Sequence, residues 1–291
     1  MRKILAVTAV VAAALFATPA VTTSADVAQP FGSAPIPGGP APNWLIADMD
    51  SGQILAEQNG YAVTPPASTI KVLLALTVLD ELNVDDTVVA TGADTAVECN
   101  CAGLKAGHAY TARQLLEGLL LVSGNDAANA LADMLGGPEA AVAKMNAKAG
   151  EVGATDTHAS TPSGLDGPGG SGGTTPHDLA VIFRAAMANP VFAQITAQHS
   201  AMFPTESGER PIVNMNELLT RYPGAFGGKT GFTDAARKTY VGGAERNGRH
   251  LVVAMMYGLI HEGGPNYWDQ AMALLDWGFG QGPLASGVGS L

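Results

Sequence analysis

The apolar pattern of the chain begins with two short runs on either side of a turn. Asn43–Met49 and Gln53–Glu57 flank Asp50-Ser51-Gly52, an arrangement typical of two β-strands joined by a tight connection. Pro65-Pro66 ends this region. The stretch that follows, Ser68–Leu82, is rich in helix-forming apolar residues and predicts a helix that is largely buried.

A block of helices is predicted after this point. Thr111 and Gln114 form a capping box ahead of the apolar stretch Leu115–Val122. Further helices are predicted over Asp126–Leu135, over Glu139–Gly150 and from Pro176 to Asn189-Pro190. Residues 160–176 are rich in Gly, Ser, Thr and Pro, which predicts a long loop of the kind that often carries functional residues.

The β pattern returns towards the end of the chain. Lys238–Glu245 and His250–Tyr257 are two β-rich runs, and Arg246-Asn247-Gly248-Arg249 separates them. Asn-Gly is a strong signal for a hairpin turn. Tyr267–Phe279 then predicts a last helix with an apolar face.

This order of elements predicts an α+β fold. Strands at both ends of the chain form one antiparallel sheet flanked by helices, and an all-helical lobe is inserted between them. We place the catalytic domain over residues 43–291. Its sheet part covers about residues 43–75 and 225–280, and its lobe covers about residues 76–224.

The first 25 residues predict an export signal. Met1-Arg2-Lys3 is basic and Ile4–Phe16 is apolar, and small residues follow in Thr18-Pro19-Ala20 and Thr23-Ser24-Ala25, either of which fits a cleavage site. The apolar run is short for a membrane span, although an uncleaved anchor is the alternative. Residues 26–42 contain five prolines among Gly and Ala and predict an extended linker outside the core.

Composition excludes several kinds of partner. The chain has 15 basic and 26 acidic residues and a formal net charge of -11. Nucleic acid and anionic lipid both attract basic surfaces, so we expect neither as a partner. Only two cysteines occur, Cys99 and Cys101, and in an exported protein a local disulfide or an intermolecular pair is favoured over a free thiol. Only His108 lies near them, so we expect no metal. The sequence has no nucleotide-binding glycine loop either, and we expect no cofactor.

Ser68 and Lys71 form the first motif with chemical potential. Three residues apart on a helix, they share a face within side-chain reach. A lysine that loses its proton in an apolar setting can act as base for a serine hydroxyl. Alone, this pattern also fits a helix cap beside a solvated lysine, but the apolar run Val72–Leu76 follows directly and indicates burial.

Two further motifs lie downstream. Ser123-Gly124-Asn125 stands at a helix end, where it fits either a glycine cap or a proton-shuttling serine with an amide that binds Lys71 or substrate. Lys229-Thr230-Gly231 leads into the C-terminal β region. It fits either an ordinary turn or a sheet edge that offers positive charge, a hydroxyl and room for close backbone approach.

The decisive observation is that the three motifs occur once each and in this order. At these residues the chain resembles the low-molecular-mass penicillin-binding proteins, specifically the serine-type D-alanyl-D-alanine carboxypeptidases. The resemblance runs from about Asn43 to Trp277. It includes the stretches Leu121–Ala128, Asn214–Leu219 and Tyr222–Thr233.

The resemblance implies a transpeptidase-like fold with its site between the sheet and the lobe. It implies Ser68 as acylated nucleophile, Lys71 as its base, Ser123 as proton carrier to the departing D-alanine and Asn125 as holder of the substrate amide. The implied substrate-binding residues are Lys229 and Thr230, which would bind the terminal carboxylate, and Gly231 and Phe232 beside them. The N–H groups of Ser68 and Phe232 would form the oxyanion hole. The implied partners are peptidoglycan stem peptides and β-lactam inhibitors, at an extracytoplasmic location.

Two features depart from the family pattern. Thr161 stands where asparagine is usual before the proline of the 160–176 loop, which we do not expect to alter the chemistry. Little sequence follows Phe279, so we expect no membrane anchor beyond the signal segment.

Three other functions share parts of this pattern. A D,D-endopeptidase acting on cross-linked peptidoglycan would use the same residues. A class A β-lactamase would carry a Glu-x-x-Leu-Asn segment between the second and third motifs, and none occurs there. A non-catalytic wall-binding module would be expected to have lost at least one motif, and all three are intact.

Overall fold

The computed structural model of the chain describes residues 27–167, 170–205, 208–259, 266–282 and 286–291. The predicted signal peptide, residues 1–25, lies outside the described residues. The strands are β1 (Asn43–Asp48), β2 (Gln53–Gln58), β3 (Thr87–Val89), β4 (Ala109–Thr111), β5 (Ser200–Thr205), β6 (Gly208–Val213), β7 (Ala225–Thr233), β8 (Arg237–Arg246), β9 (Arg249–Gly258) and β10 (Gly289–Ser290).

The helices begin after a 3₁₀ turn at Ala67–Ile70. They are α1 (Lys71–Glu81), α2 (Gly92–Thr95), α3 (Ala112–Leu121), α4 (Asn125–Met134), α5 (Pro138–Glu151), α6 (Pro176–Met187), α7 (Pro190–Thr196), α8 (Leu218–Arg221) and α9 (Tyr267–Gly280). Among the described residues no single helix is long and apolar enough to cross a membrane. The pair α6 and α7 would satisfy length and composition together, but it is bent by 107°.

Six strands from the two ends of the chain form one antiparallel sheet in the order β10-β2-β1-β9-β8-β7. Every residue of β1 is buried because the strand lies inside the sheet, with α6 packed on one face and α9 on the other. β7 stands at the edge of the sheet. The predicted α+β fold is therefore confirmed. The long strand β7 pairs with β8 on one side only, and its other edge is available to the functional site.

Local sequence signals explain two of these elements. The β8–β9 hairpin turns at Asn247 and Gly248, whose φ angles of 56° and 77° belong to the left-handed region that Asn and Gly tolerate best. At the start of α3, the N–H of Gln114 donates to Thr111 Oγ1 and the N–H of Thr111 donates to Gln114 Oε1. Both the hairpin and the capping box are confirmed.

The helix α1 runs through the centre of the lobe. Its first eight residues are buried, from Lys71 to Val78, because α3, α5, α6 and α7 pack around it. A helix surrounded on all sides has no solvent-facing stripe, so even the charged residue at its start is enclosed. This position is what makes Lys71 chemically unusual.

The inserted lobe is not purely helical, which corrects the sequence prediction. β3 pairs with β4, and β5 pairs with β6, each pair antiparallel. The second hairpin escapes prediction because Pro204 and Pro211 interrupt it and because five of the six β6 residues are exposed, so the strand carries no apolar pattern. The helix α6, predicted within the lobe, packs against β1 and β9 of the main sheet.

Residues 27–42, the described part of the predicted linker, are partly or fully exposed except for the buried Ala41. The segment has no helix, but its backbone is bound to the domain. Ala28 and Glu57 exchange two backbone hydrogen bonds of 2.9 Å, and Gln270 both accepts from the N–H of Ala41 and donates to its carbonyl. Trp277 Nε1 donates to the Ala34 carbonyl at 2.8 Å. Side chains of α9 therefore replace the regular partners that this proline-rich segment lacks.

Candidate active site

A pocket of about 430 Å³ opens where the 3₁₀ turn, the α3–α4 connection and strand β7 meet. Its walls include six of the eight residues that the sequence singled out: Ser68, Ser123, Asn125, Thr230, Gly231 and Phe232. The other two, Lys71 and Lys229, lie behind the pocket wall and are almost completely buried. The structure thus brings all eight residues into one place.

Lys71 lies beside the hydroxyl of Ser68. Its Nζ is 2.8 Å from Ser68 Oγ, and it also donates to the Ser123 carbonyl at 2.9 Å and to Asn125 Oδ1 at 2.6 Å. A neutral amine at this place can donate its two N–H groups to these two oxygens and turn its lone pair to the Ser68 hydroxyl. That is the geometry that a general base requires.

The electrostatic setting of Lys71 favours this neutral form. Burial holds the pKa of Lys71 well below its usual range, and the charge of Lys229 lowers it further. The carboxylate of Asp126 acts in the opposite direction and raises the pKa. Burial is the largest of these effects, so the site favours the neutral amine, the form that can accept a proton.

Lys229 places a second amine on the far side of Ser123. Its Nζ donates to Ser123 Oγ at 2.9 Å and to the Thr230 carbonyl at 2.7 Å. Burial lowers the pKa of Lys229 to about 7. Because Ser123 Oγ also lies 3.4 Å from Lys71 Nζ, its hydroxyl connects the two amines and is placed to carry a proton.

The conformation of Ser123 makes these contacts possible. Ser123 is a non-glycine residue with a φ of 61°, in the left-handed region that most side chains avoid. In this conformation its carbonyl and its hydroxyl both reach Lys71. Backbone strain of this kind is often found at functional sites, and here the surrounding hydrogen bonds hold it in place.

Strand β7 approaches the 3₁₀ turn so closely that only glycine fits between them. A Cβ atom on Gly231 would lie 2.9 Å from the backbone nitrogen of Ser68 and 2.3 Å from Thr239 Oγ1. The Thr239 hydroxyl donates to the Pro66 carbonyl at 2.9 Å and so fastens the turn to the sheet. The backbone nitrogen of Ser68 is therefore held close to Gly231 of β7, the residue before Phe232.

A loop that the sequence did not single out supports Asn125. The Asn125 side chain donates to the Glu98 carbonyl at 2.6 Å, and its backbone N–H donates to the Asn100 carbonyl at 2.7 Å. Cys99 and Cys101 are joined in a local disulfide in this loop, with a Cα–Cα distance of 4.9 Å, which is one of the alternatives left open by the sequence. The cysteine pair was the visible signal, but nothing in the sequence connected it with Asn125.

The side chain of Asp126 binds the backbone of the same loop. Its buried carboxylate accepts hydrogen bonds from the backbone N–H groups of Ala102, Gly103 and Leu104, at 2.8 to 2.9 Å. A carboxylate with several N–H donors is a strong local tether. Asp126 therefore links the loop, the second motif and the charge environment of Lys71.

The glycine-rich loop predicted over residues 160–176 closes another side of the pocket. Leu165 lines the pocket, and the neighbouring Asp166 accepts hydrogen bonds from Thr233 Oγ1 and from the N–H of Ala235. Thr161, at the position where asparagine is usual, accepts from the Gly164 N–H at 2.9 Å. The hydroxyl thus stabilises the loop and lies outside the pocket wall.

No group of three or more His, Cys, Asp or Glu side chains that could hold a metal occurs within the described ranges.

Comparison with known proteins agrees with this geometry. The sequence model of the S11 peptidase family, described as D-alanyl-D-alanine carboxypeptidase, matches residues 33–258. The chain belongs to this family. It is 70% identical to the D-alanyl-D-alanine carboxypeptidase DacB2 of Mycobacterium tuberculosis over 267 residues, which cover 92% of this chain and 91% of the relative.

Solved structures of the family share the fold. A crystal structure of D-alanyl-D-alanine carboxypeptidase from Mycobacterium tuberculosis superposes with a TM-score of 0.89 at 70% identity, covering 91% of this chain and 100% of the other. The Streptomyces K15 DD-transpeptidase superposes with a TM-score of 0.78 at 28% identity, covering 85% of this chain and 100% of the other. The predicted transpeptidase-like fold is confirmed.

Proposed function

We propose that this chain is a serine D-alanyl-D-alanine carboxypeptidase that removes the terminal D-alanine of peptidoglycan stem peptides through an acyl-enzyme on Ser68. The observation that carries the proposal is the contact of 2.8 Å between Ser68 Oγ and the wholly buried amine of Lys71. The family membership of the chain supports the same reaction.

Acylation begins with the Ser68 hydroxyl. Its oxygen attacks the carbonyl carbon of the penultimate D-alanine, and its proton moves to the neutral amine of Lys71. The carbonyl oxygen becomes an oxyanion, which the backbone N–H groups of Ser68 and Phe232 stabilise. The closeness of β7 to the 3₁₀ turn at Gly231 supports this pairing of donors.

Collapse of the tetrahedral intermediate breaks the peptide C–N bond. The departing amine of D-alanine takes a proton that passes from Lys71 through the Ser123 hydroxyl, and the shortened peptide remains as an ester on Ser68. Water then attacks the ester carbonyl and gives a proton to Lys71. The bond between the acyl carbon and Ser68 Oγ breaks, Oγ takes the proton back from Lys71, and the peptide leaves with a new carboxyl group. Lys229 holds the Ser123 hydroxyl in the position that this transfer needs.

Two further residues position the substrate. Asn125 binds Lys71 through its side-chain oxygen, and its Nδ2 donates one hydrogen bond to the Glu98 carbonyl. The second N–H of Nδ2 remains for the substrate amide. Thr230 offers its hydroxyl to the terminal carboxylate from the pocket wall, with Lys229 behind it.

β-Lactams acylate Ser68 in the same way and leave it slowly. The loop that follows the second motif carries Thr161-Pro162-Ser163-Gly164 in place of a glutamate that would activate water. We therefore propose penicillins as inhibitors of this chain rather than substrates. Action on peptidoglycan and the apolar leader at residues 4–16 support an extracytoplasmic location.

The protein from residue 27 onwards, incubated with a peptide ending in D-alanyl-D-alanine, is expected to release free D-alanine. The variant Ser68→Ala is the control, because it removes the nucleophile and only one hydrogen bond of Lys71. No D-alanine from the unmodified protein would contradict the proposal. Faster cleavage of cross-linked dimeric muropeptides than of the linear peptide would instead favour the endopeptidase, and rapid turnover of penicillin would favour a β-lactamase.

A further inference from the structure

The recognition of a free carboxylate requires a cation that the carboxylate can reach. Lys71 and Lys229 are both buried behind the pocket wall, and both amines are already hydrogen-bonded to protein oxygens. Burial also lowers the pKa of Lys229 to about 7, so its positive charge is only partly present at neutral pH. Neither amine projects a full charge into the pocket, in a chain whose net charge is -11.

Lys238 is a different kind of lysine. It lines the same pocket as Ser68 and Thr230, and it is only partly buried. In the part of the chain that the structure describes, its ammonium group makes no ion pair with a carboxylate. The cation is therefore available to a ligand.

The register of the sheet places Lys238 next to Thr230. Lys238 on β8 lies directly opposite Phe232 on β7, and Tyr240 lies opposite Thr230. Residues directly opposite share a face of the sheet, and so do residues two apart on one strand. Lys238 and Thr230 are thus diagonal neighbours on one face, at about 7–8 Å between backbones, a distance that a lysine side chain spans easily.

Two aromatic rings hold the ammonium group at this place. Lys238 Nζ lies 4.9 Å from the centre of the Phe232 ring and 6.0 Å from the centre of the Tyr267 ring. The face of an aromatic ring attracts a cation, but it does not use the ammonium N–H groups that point away from the ring. The two rings therefore limit the positions of the side chain without neutralising its charge.

We propose that Lys238 determines the specificity for a free C-terminus by binding the terminal carboxylate of the substrate together with the Thr230 hydroxyl. This inference rests on the proposed carboxypeptidase function. In this arrangement the carboxylate binds Lys238, on the strand next to the third motif, and the buried Lys229 binds the Ser123 hydroxyl.

The test compares two activated substrates that differ only in charge. One is an N-acyl-D-alanyl thioester whose thioglycolate leaving group ends in a carboxylate, and the other is the methyl ester of the same compound. The variants are Lys238→Gln, Lys238→Arg and Arg237→Gln. Arg237 is the matched control, because it is an exposed cation at the same end of β8 that does not line the pocket. Thiol release gives kcat/KM for each pair.

For Lys238→Gln we expect kcat/KM to fall about 10- to 100-fold with the carboxylate substrate, the range of one hydrogen bond between charged groups. With the methyl ester we expect little change. Lys238→Arg should keep the preference for the carboxylate, and Arg237→Gln should leave both substrates unaffected. An equal loss with both substrates, or no loss with either, would overturn the role of Lys238. If the unmodified protein releases no thiol from either compound, the proposed function itself is contradicted.

Discussion

Replacement of Gly231 by alanine tests the close approach of β7 to the nucleophile. The added Cβ would lie 2.9 Å from the Ser68 nitrogen and 2.3 Å from Thr239 Oγ1, whereas ordinary contacts begin near 3.4 Å. The turn must therefore move away from the strand by about 0.5 Å, and the Thr239 hydroxyl by about 1 Å. Because Thr239 also holds the Pro66 carbonyl, rotating its hydroxyl away would release the turn that carries Ser68.

The expected effect on chemistry is larger than the effect on stability. A displacement of about 1 Å costs about 100-fold in rate, and loss of one oxyanion donor costs about 100- to 1,000-fold. Overpacking costs about 1–3 kcal/mol of stability, which lowers Tm by about 2–4 °C for each kcal/mol in a domain of this size. We therefore expect the second-order rate of acylation by a fluorescent penicillin to fall at least about 100-fold in a folded protein.

The matched control is Gly278→Ala in α9. Its Cβ would lie 2.5 Å from Ile46 Cδ1 and 2.9 Å from Leu251 Cδ1, so it crowds the core to a similar degree away from the pocket. We expect a change in Tm with acylation unaffected. Acylation of the Gly231 variant within about threefold of the unmodified rate would contradict a catalytic role for this close approach, since loss of an oxyanion donor costs far more. So would an equal loss of acylation in the Gly278 variant.

Three further predictions concern the charges behind the pocket. Lys71→Arg should lower the rate of acylation at least about 1,000-fold, because a guanidinium stays protonated. A loss of less than about tenfold would contradict the role of Lys71 as base. Asp126→Asn removes a charge that raises the pKa of Lys71. The pH below which acylation slows should therefore be lower in this variant, and an unchanged pH profile would count against this coupling. The pKa of Lys229 is about 7 in the folded chain and about 10.4 in the unfolded chain, which therefore binds more protons in between. The free energy of unfolding should rise from pH 7 to pH 9, by up to about 1.4 kcal/mol per pH unit from this group, and urea titrations should show a smaller rise in Lys229→Met.

The sequence predicted those parts of the fold whose signals are local. The hairpin at Asn247-Gly248 and the capping box at Thr111 depend on a few neighbouring residues, and both occur as predicted. The β5–β6 hairpin and the docking of residues 27–42 depend on distant partners. Gln270, for example, binds Ala41 from the other end of the chain. A pattern along one segment contains no information about such a partner.

In the candidate site, too, features with a local sequence signal were predicted, and features that depend on distant residues were not. The three motifs identified the residues that meet at the pocket, because each motif is a short pattern with a chemical reason. Sequence reasoning missed the support of Asn125 by the loop at Glu98 and missed Lys238, since its place beside Thr230 exists only through the register of β7 and β8. The burial of Lys71 was predicted from the apolar run behind it, but its hydrogen-bond partners were not.

Mass spectrometry of the protein after reaction with penicillin can identify the nucleophile. We expect the intact mass to increase by one penicillin, and proteolysis to locate the adduct on the peptide that contains Ser68. The same treatment of Ser68→Ala should leave the mass unchanged. An unmodified mass in the wild-type chain, or an adduct that persists in the Ser68→Ala variant, would contradict the assignment of Ser68 as nucleophile.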